Sequence, residues 1–542
     1  MPTGIKKINT TSLSKNLLFY AVLSISILSL IPLLTVILNS SITNFTYLLF
    51  ADPQFIKLTT NSLTIVSCVL FLTFIFGVFS AYLVTFYTFF GSNFFKYSMI
   101  LSFAIPPYIF GYSLSAFSEN FGIGYTILKF FFNVDEINSL IPNFSPITNS
   151  IISLSFTLYG YVYLLSRTSF LNQSANLIDL GRSLGFSPLQ QFLKIILPCS
   201  RPAIFIGLSL VAMETLSDFG TVNYFGVSTF TTEIYNSWFI FDDLKTSNFL
   251  SLLLLFFILI FFTIENLSRK NSKYHTLDND RKVKQIGLKD LKGFFAFLFC
   301  LVLFSISFIF PFSQMIYWSF KFPEYFKNLE LLKLNINTFL IIFSTASLLI
   351  LFSLVTNFGN RFLKNRFLNF ISNLSISGYA IPGIIISVSI ISFLSLMSDL
   401  TYIDFKKIFI GSFYGLILGY FFRFYAISFN GIKSNYIKIN YSIDESSYLM
   451  GFNKLKTFSK IHWPIIKKNI LFIFVLISIE IIKELPITLI LRPFNFETFS
   501  IKAYNFASQD LIEAAAAPSM FLILWTSIFI LISLKYFFDN KK

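Results

Sequence analysis

The chain has few charged, sulfur-containing or imidazole side chains for its length. Only 12% of its 542 residues are Asp, Glu, Lys or Arg, whereas 55% are hydrophobic. Its three cysteines have no CxxC spacing, and its two histidines, His275 and His462, are far apart. This composition excludes a soluble globular domain, a disulfide framework and a His or Cys metal cluster. It predicts an all-α integral membrane protein with no metal site that we can assign.

Two further sequence signals are missing. No GxxxxGK[ST] phosphate-binding loop occurs, so we predict that the chain has no ATPase site and binds no cofactor itself. The first apolar run is too long for a signal peptide, and no small-residue cleavage site follows it. The 41 basic residues outnumber the 26 acidic ones. In a membrane protein such an excess marks cytoplasmic loops rather than a nucleic-acid partner.

Apolar runs long enough to cross a lipid bilayer, about 20 residues each, recur along the chain. We predict twelve spans, near 17–39, 61–88, 97–118, 148–166, 202–222, 247–264, 293–318, 336–357, 368–396, 408–430, 469–491 and 518–537. An even number puts both termini on one side. The larger share of the Lys and Arg residues lies on that side, which the positive-inside rule assigns to the cytoplasm.

The two halves of the chain repeat each other. Asn61-Ser62-Leu63 and Asn337-Thr338-Phe339 open the second and eighth spans, and Ala104-Ile105-Pro106 and Ala380-Ile381-Pro382 interrupt the third and ninth. Both pairs are 276 residues apart. We predict a first repeat over 1–265, a charged cytoplasmic linker over 266–292 and a second repeat over 293–542. Six spans per repeat make the repeats parallel across the membrane.

A polar motif also occurs twice, at an offset of 266 residues. Motif 1 reads Asp179-Leu180-Gly181, three residues, Gly185, nine residues, then Ile195-Ile196-Leu197-Pro198. Motif 2 reads Glu445-Ser446-Ser447, three residues, Gly451, nine residues, then Ile461-His462-Trp463-Pro464. The predicted topology puts both motifs in the cytoplasm. A polar loop kept twice in an apolar chain favours a docking surface, and the alternative is an amphipathic helix on the bilayer.

This spacing resembles the EAA loop of ABC importer permeases, Glu-Ala-Ala, three residues, Gly, nine residues, Ile-x-Leu-Pro. In that family the loop forms a short helix that docks on the ATPase. The resemblance implies the type I permease fold and coupling roles for Asp179, Gly181, Gly185, Pro198, Glu445, Ser446, Ser447, Gly451 and Pro464. Asp179-Leu180-Gly181 and Trp463 depart from the family pattern.

Local chemistry is consistent with two short helices. Ser442-Ile443-Asp444-Glu445 has the capping-box pattern, with Ser442 as the N-cap. The small residues Gly181, Ser446 and Ser447 are expected to permit close approach, and Gly185 and Gly451 to end each helix at positive φ. In the first copy Leu177, Ile178, Gly181 and Leu184 recur at helical spacing. In the second copy Ile443, Tyr448 and Met450 are expected to offer apolar surface to a partner's groove. Pro198 and Pro464 are expected where the chain turns into the next span.

Charged residues interrupt the fifth and eleventh spans at equivalent positions. These are Glu214 and Asp218, then Glu480, Lys483 and Glu484. A carboxylate at membrane depth costs at least a few kcal/mol, so it faces protein or water and often carries function. Spacing of four predicts each acidic pair on one helix face. Two interpretations follow. Either these residues line the translocation path or its gate, or they have a structural role, in which they cap helix ends or form internal ion pairs, such as Lys483 with Glu480 or Glu484. A more specific form of the path interpretation is that these carboxylates directly coordinate a metal cation as it crosses the membrane.

The segments around these charges resemble one particular group of ABC importer permeases. They read Glu214-Thr215-Leu216-Ser217-Asp218-Phe219-Gly220-Thr221 and Lys483-Glu484-Leu485-Pro486-Ile487-Thr488, and they look like the fused, two-repeat permeases of ferric-iron ABC importers. Related permeases for thiamine, polyamines or phosphonates share the architecture. The family implies a bacterial inner-membrane location, a periplasmic binding protein and two copies of an ATPase subunit, which use ATP and Mg. An ion-gradient-driven transporter with six plus six spans is the rival from another class.

Overall fold

The fold is described from a computed structural model of the chain. It describes residues 10–39, 53–118, 124, 129, 144–173, 179, 181, 183–271, 285–325, 329–375, 378 and 381–539. The chain termini, most of the predicted linker and most of the loop near 119–147 lie outside these ranges, as do Leu177, Ile178 and Leu180 of motif 1.

The first part of the described chain is helical apart from two short strands. Its helices are α1 (Thr10–Asn39), α2 (Pro53–Phe86), α3 (Ser92–Ser98), α4 (Pro107–Ser118), α5 (Pro146–Leu171), α6 (Pro188–Gln191), α7 (Leu197–Ser217), α8 (Gly220–Tyr224), α9 (Phe230–Phe239), α10 (Leu244–Asn271), α11 (Asp290–Phe304) and α12 (Phe310–Lys321). A 3₁₀ segment (Met99–Ala104) follows α3, and π-helical turns (Phe192–Ile196 and Ser305–Ile309) precede α7 and α12. The strands β1 (Tyr87–Thr88) and β2 (Ile286–Gly287) pair in parallel, Tyr87 opposite Ile286.

The remaining described chain follows a 3₁₀ turn (Pro323–Tyr325) and is again helical. Its helices are α13 (Leu329–Leu363), α14 (Arg366–Leu374), α15 (Gly383–Leu400), α16 (Phe405–Phe409), α17 (Phe413–Lys438), α18 (Tyr441–Leu449), α19 (Lys454–Thr457), α20 (Trp463–Lys483), α21 (Pro486–Leu491), α22 (Phe499–Ala507) and α23 (Ile512–Asp539). A π-helical turn (Phe458–His462) precedes α20. The all-α prediction is confirmed, because the strands amount to two residues each.

Each of the twelve predicted spans overlaps at least one helix. Seven helical segments in the described part of the chain are long and apolar enough to cross a membrane: Pro53–Phe86, Pro188–Ser217, Leu244–Phe261, Asp290–Lys321, Glu330–Leu363, Gly383–Leu400 and Ile512–Lys535. An eighth is a bent pair, Ser92–Ala104 and Pro107–Phe117. The other four predicted spans lie on α1, α5, α17 and α20, which are shorter in their apolar part or more polar.

Two of the predicted spans are broken at their prolines. The axis turns by 92° between Ala104 and Pro107. The predicted ninth span divides into α14 and α15, with Pro382 as the N-cap of α15. Proline cannot donate a backbone hydrogen bond and disfavours helix in the residue before it, so a break at each position follows from the sequence.

The chain forms two compact units that cut across the sequence repeats. One unit comprises residues 1–40, 334–498 and 531–542, and the other comprises 41–333 and 499–530. In the first, α1 packs on helices of the second repeat: the Ser26 and Ser372 hydroxyls lie 3.1 Å apart, and Thr35 donates to the Ser389 carbonyl. In the second unit, α2 crosses α5 closely, because a Cβ on Gly77 would lie 2.7 Å from Val162.

Matching side-chain contacts support the internal repeat. The Asn61 amide donates to the Ser228 carbonyl at 3.0 Å, and the Asn337 amide donates to the Glu497 carbonyl at 3.1 Å. In each unit this bond joins the helix of the predicted second or eighth span to the loop that leads into the following short helix. The repeated Asn therefore has the same structural role in both copies.

Candidate functional site

Both copies of the motif turn at a glycine of left-handed conformation. Gly185 has φ +74° and Gly451 has φ +79°, and an added Cβ would meet no atom within 4 Å at either position. The Phe186 amide donates to the Gly181 carbonyl, and the Phe452 amide donates to the Ser447 carbonyl, each at 3.0 Å. This six-to-one bond with a left-handed glycine is the Schellman ending of a helix. The predicted role of both glycines as helix terminators is confirmed.

Large apolar side chains are exposed at equivalent places in the two motifs. Leu184 is 66% exposed and its counterpart Met450 is 71% exposed. Leu189 is 68% exposed and its counterpart Leu455 is 71% exposed. The motifs thus present an apolar pair on either side of the left-handed glycine. Such repeated exposure is characteristic of a surface that a partner covers.

The small residues of the motifs do not all face outward. A Cβ on Gly181 would lie 2.6 Å from Cδ1 of Ile195, so the glycine permits close packing within the motif itself. Ser447 is buried and shares a 2.8 Å hydrogen bond with Thr457. Gly181 and Ser447 therefore make close contacts within the chain, and close approach of a partner at the motifs stays a prediction. Ser446 is exposed, as are the acidic residues that open the two motifs, Asp179 and Glu445.

The prolines of the motifs follow a local widening of the helix. Pro198 is the second residue of α7 and Pro464 the second residue of α20, each directly after a π-helical turn. The prediction that they sit where the chain turns into the next span needs correction, because helix continues through both positions. π-Helical turns inside helices occur often at functional sites.

The start of α18, the helix of motif 2, differs from the prediction. Its N-cap is Asn440, whose side chain accepts from the Ser442 amide. The capping box with Ser442 as N-cap is therefore wrong by two residues. Ser442 lies inside the first turn, and its carbonyl accepts the Ser446 hydroxyl at 2.8 Å. Asparagine is among the strongest N-cap residues, so the earlier start is well founded chemically.

A buried network of ion pairs and hydrogen bonds anchors α18 to neighbouring segments of the chain. Asp444 Oδ2 accepts from Arg361 Nε at 2.7 Å, and Asp444 Oδ1 lies 2.7 Å from His462 Nε2. Arg361 also donates to the backbone carbonyls of Tyr436, Ile439 and Asn440. Each charged or polar group in the network is buried, and pairing with hydrogen bonds is the condition under which buried charge is tolerated. The network links α13, the end of α17, α18 and the turn before α20.

The predicted acidic pairs do not share continuous helix faces. Helix α7 ends at Ser217 and α20 ends at Lys483, so Asp218 and Glu484 stand in extended backbone just beyond the helix ends. Asp218 Oδ2 accepts from the Thr221 and Val222 amides, and Glu484 Oε1 accepts from the Ile487 amide. Each carboxylate thus caps the short helix that follows. Broken helices at membrane depth are tolerated where they are buried in protein or line a cavity.

The second repeat pairs its membrane charges internally. Lys483 Nζ lies 3.4 Å from Glu480 Oε1, as one of the two interpretations of these residues expects. Glu484 instead pairs with Arg423, whose Nε lies 3.3 Å from its Oε2. A Cβ on Gly383 would lie 2.5 Å from both side chains, so glycine there leaves room for the pair. Glu214 is half-buried on α7.

Sequence reasoning assigned no part in the site to the side chains of Arg361, Asp444, His462 and Arg423. Arg423 had an available signal, because it is a lone charge in the predicted span 408–430, where a charge is by default functional. Arg361 and Asp444 are 83 residues apart and give no local pattern. Within the described ranges, no three His, Cys, Asp or Glu side chains are grouped to hold a metal ion.

Comparisons with known proteins agree with this architecture. Residues 73–273 match the family described as the inner membrane component of binding-protein-dependent transport systems. Motif 1 and Asp218 lie within that match. The Fe(3+)-transport system permease protein FbpB 2 of Haemophilus influenzae is 26% identical over 520 residues, which cover 94% of this chain and 96% of that protein. The chain is therefore an all-α, multi-pass membrane protein that is similar, over residues 73–273, to the inner membrane components of binding-protein-dependent transport systems.

Proposed function

We propose that the chain is the membrane subunit of an ATP-driven importer and that its substrate is ferric iron delivered by a periplasmic binding protein. The observation that carries the proposal is the pair of equivalent motifs, each with a left-handed glycine between two exposed apolar side chains. Two such surfaces fit two copies of an ATPase subunit, which would bind ATP and Mg.

The mechanism follows from coupling between docking and conformation. When ATP closes the ATPase subunits, the two motifs move with them, and the path opens to the periplasm to accept substrate. ADP release reverses the change. Such coupling requires that each conformation make different contacts at the motifs, since a partner shifts an equilibrium only by its difference in affinity. The buried anchoring of α18 supports transmission of movement to α13 and α20.

The choice of ferric iron rests on the relative from Haemophilus influenzae, whose name states Fe(3+) transport. Thiamine, polyamine and phosphonate importers remain the alternatives with the same architecture. The carboxylates of Glu214 and Asp218, and of Glu480 and Glu484, are hard oxygen ligands of the kind that Fe(3+) accepts. We propose that they line the path or its gate.

Transport in reconstituted vesicles tests the proposal. The chain is incorporated with the ATPase and the binding protein of its transport system, and uptake of radioactive iron is followed with and without ATP. ATP-dependent uptake that tolerates an uncoupler is expected. Uptake that needs no ATPase subunit and collapses with the uncoupler would favour the ion-gradient-driven transporter. ATP-dependent uptake of thiamine instead of iron would change the proposed substrate and leave the proposed ATP-driven import unchanged.

The docking surface has its own test. Leu189→Glu with Leu455→Glu adds charge at two exposed positions, so folding is expected to be unaffected while association with the ATPase falls at least tenfold. Leu400→Glu is the matched control, since Leu400 is 75% exposed and lies outside both motifs. Co-purification of the ATPase with the membrane chain gives the readout. Equal loss in the control variant would contradict docking on the motifs.

A further inference from the structure

A large polar cavity lies beside the start of α18, the helix of motif 2. It has a volume of about 720 Å³, and residues from α13, α14, α17 and α18 line it. Asn440 and Tyr441, the N-cap and first residue of α18, form part of its wall. The volume is in the range of ligand pockets. None of the roles proposed above uses this cavity.

The cavity wall is basic. Lys433 and Lys438 line it together with Arg361, and none of its lining residues is acidic. Arg361 directs its guanidinium to Asp444 and to three backbone carbonyls. The two lysines therefore supply the charge that an entering anion would meet. Lys433 Nζ donates to a neutral partner, the Asn373 amide oxygen, at 2.7 Å.

Two buried polar atoms of lining residues lack a partner. The Tyr436 hydroxyl and the Asn360 amide oxygen are both buried without a hydrogen bond, and Tyr436 as a whole is 5% exposed. A buried polar atom without a partner costs about 1–3 kcal/mol. Neither atom has surface open to the cavity, so both show unmet polar capacity in its wall and not a direct ligand contact.

The rim of the cavity adds exposed apolar surface to its basic, polar wall. Ile437 is 75% exposed and Tyr441 is 53% exposed, next to Lys438 on the last turns of α17 and the start of α18. These residues follow the end of the predicted span 408–430 by two to three helical turns, on the side that the predicted topology assigns to the cytoplasm. Basic pockets between helices at the cytoplasmic surface bind anionic phospholipids. A free anion would leave the apolar rim uncovered.

We propose that this cavity binds the phosphate and polar headgroup of an anionic phospholipid, with Lys433 and Lys438 as its charged partners. The headgroup would brace the N-cap of α18 and the carbonyls around Arg361. Binding itself is independent of the proposed function, whereas any effect of the lipid on coupling rests on it. Failure of the ATPase to dock would leave lipid binding unchanged, so the two ideas fail separately.

The test measures the thermal unfolding midpoint of the purified full-length chain in a neutral detergent. Phosphatidylglycerol, phosphatidylcholine with the same acyl chains, and inorganic phosphate are titrated separately. A saturable rise in the midpoint is expected with phosphatidylglycerol alone. Lys433→Gln with Lys438→Gln is expected to raise the half-saturating lipid concentration about tenfold or more. The matched control is Lys467→Gln with Lys468→Gln, two exposed lysines on the same predicted side of the membrane.

Each outcome decides the proposal. Loss of the response in the cavity variant alone supports it, and equal loss in the control variant overturns it in favour of general surface charge. A rise with inorganic phosphate that matches the rise with lipid would show that a free anion is the occupant and would overturn the lipid assignment. Absence of a phosphatidylglycerol-specific response also overturns it. If the cavity variant folds poorly, Asn360→Asp replaces it and is expected to weaken the response by adding negative charge.

Discussion

Nε2 of His462 lies 2.7 Å from Oδ1 of Asp444, and both side chains are buried beneath α18. Asp444 is on α18, whereas His462 is in the π-helical turn that leads to Pro464. The helix that carries the start of motif 2 and the turn near its end are therefore joined by a direct hydrogen bond. With Arg361 on the other carboxylate oxygen, the helix and the start of α20 are held as one body.

Removing the Asp444 charge is expected to destabilise the chain. Asp444→Asn leaves the Arg361 guanidinium buried without an anion, and breaking a buried pair in this way costs about 3–5 kcal/mol. We expect the lower end of that range, because Arg361 keeps three backbone carbonyl acceptors. The measurement is the thermal unfolding midpoint of the purified chain.

The neighbouring acid supplies the control for that experiment. Glu445 is exposed, so Glu445→Gln removes the same charge with little effect on the unfolding midpoint. It is expected to weaken ATPase co-purification instead. Similar midpoints for the Asp444 and Glu445 variants would contradict the anchoring role of the network.

The same network predicts a dependence of stability on pH. Burial lowers the pKa of His462 from its ordinary value of 6.5, and the hydrogen bond to Asp444 offsets only part of that effect. Nδ1 of His462 is buried without a partner, so protonation there would create an unpaired buried N–H. Below pH 6.5 the unfolded chain binds the proton more readily than the folded one. Stability is then full above that pH and falls as pH decreases, by at most about 1.4 kcal/mol per pH unit.

Chemical unfolding followed at several pH values checks this dependence. His462→Gln is the matched variant, because its amide can still donate to Asp444 but does not titrate. The variant is expected to lack the part of the acid destabilisation that begins near pH 6.5. An unchanged pH profile in His462→Gln would show that other groups cause the loss.

Much of the architecture could be predicted because it depends on local chemistry. The left-handed turns at Gly185 and Gly451 follow from glycine's freedom at positive φ, and the breaks at Pro106 and Pro382 follow from proline's missing donor. The repeat offset also predicted correctly that an acidic residue lies at the equivalent position in each repeat, where the structure shows that the helix breaks. These features need only a few neighbouring residues to be recognised.

The features that sequence reasoning missed depend on tertiary contact. Spacing alone placed Glu214 with Asp218 on one helix face, but the chain leaves the helix just before Asp218, whose carboxylate caps the next helix instead. The burial of Gly181 against Ile195 depends on a turn between them that spacing does not describe. Arg361 and Asp444 meet only after α13 and α18 pack together.

Backbone strain at the two motif glycines is expected to uncouple ATP hydrolysis from uptake. Gly185→Val with Gly451→Val forces a β-branched residue to positive φ, at roughly 1–2 kcal/mol each, and no atom lies within 4 Å of the added Cβ at either position. Gly411→Val is the control, since Gly411 has φ +70° and equally open surroundings but lies outside the motifs. ATP hydrolysis and iron uptake are measured on the same vesicles. Normal uptake in the double variant would exclude the docking role.

The half-buried acids of the two repeats are expected to act in transport rather than assembly. Glu214→Gln with Glu480→Gln removes two charges while preserving side-chain shape. We expect iron uptake to fall at least tenfold while the ATPase still co-purifies with the chain. Loss of assembly before loss of uptake would show that these acids are structural, as the pairing of Glu480 with Lys483 would then imply.

The buried Arg423–Glu484 pair gives the last prediction. Nε of Arg423 lies 3.3 Å from Glu484 Oε2, and the side chains are 13% and 5% exposed, so replacing one partner leaves the other charge buried and poorly compensated. Arg423→Gln and Glu484→Gln are each expected to cost about 3 kcal/mol or more in unfolding free energy. The double variant is expected to recover part of that loss, with a coupling energy of about 1–3 kcal/mol. Additive losses in the double-mutant cycle would show that the two residues act independently, and the Glu484 carboxylate would then be retained for its cap on α21 alone.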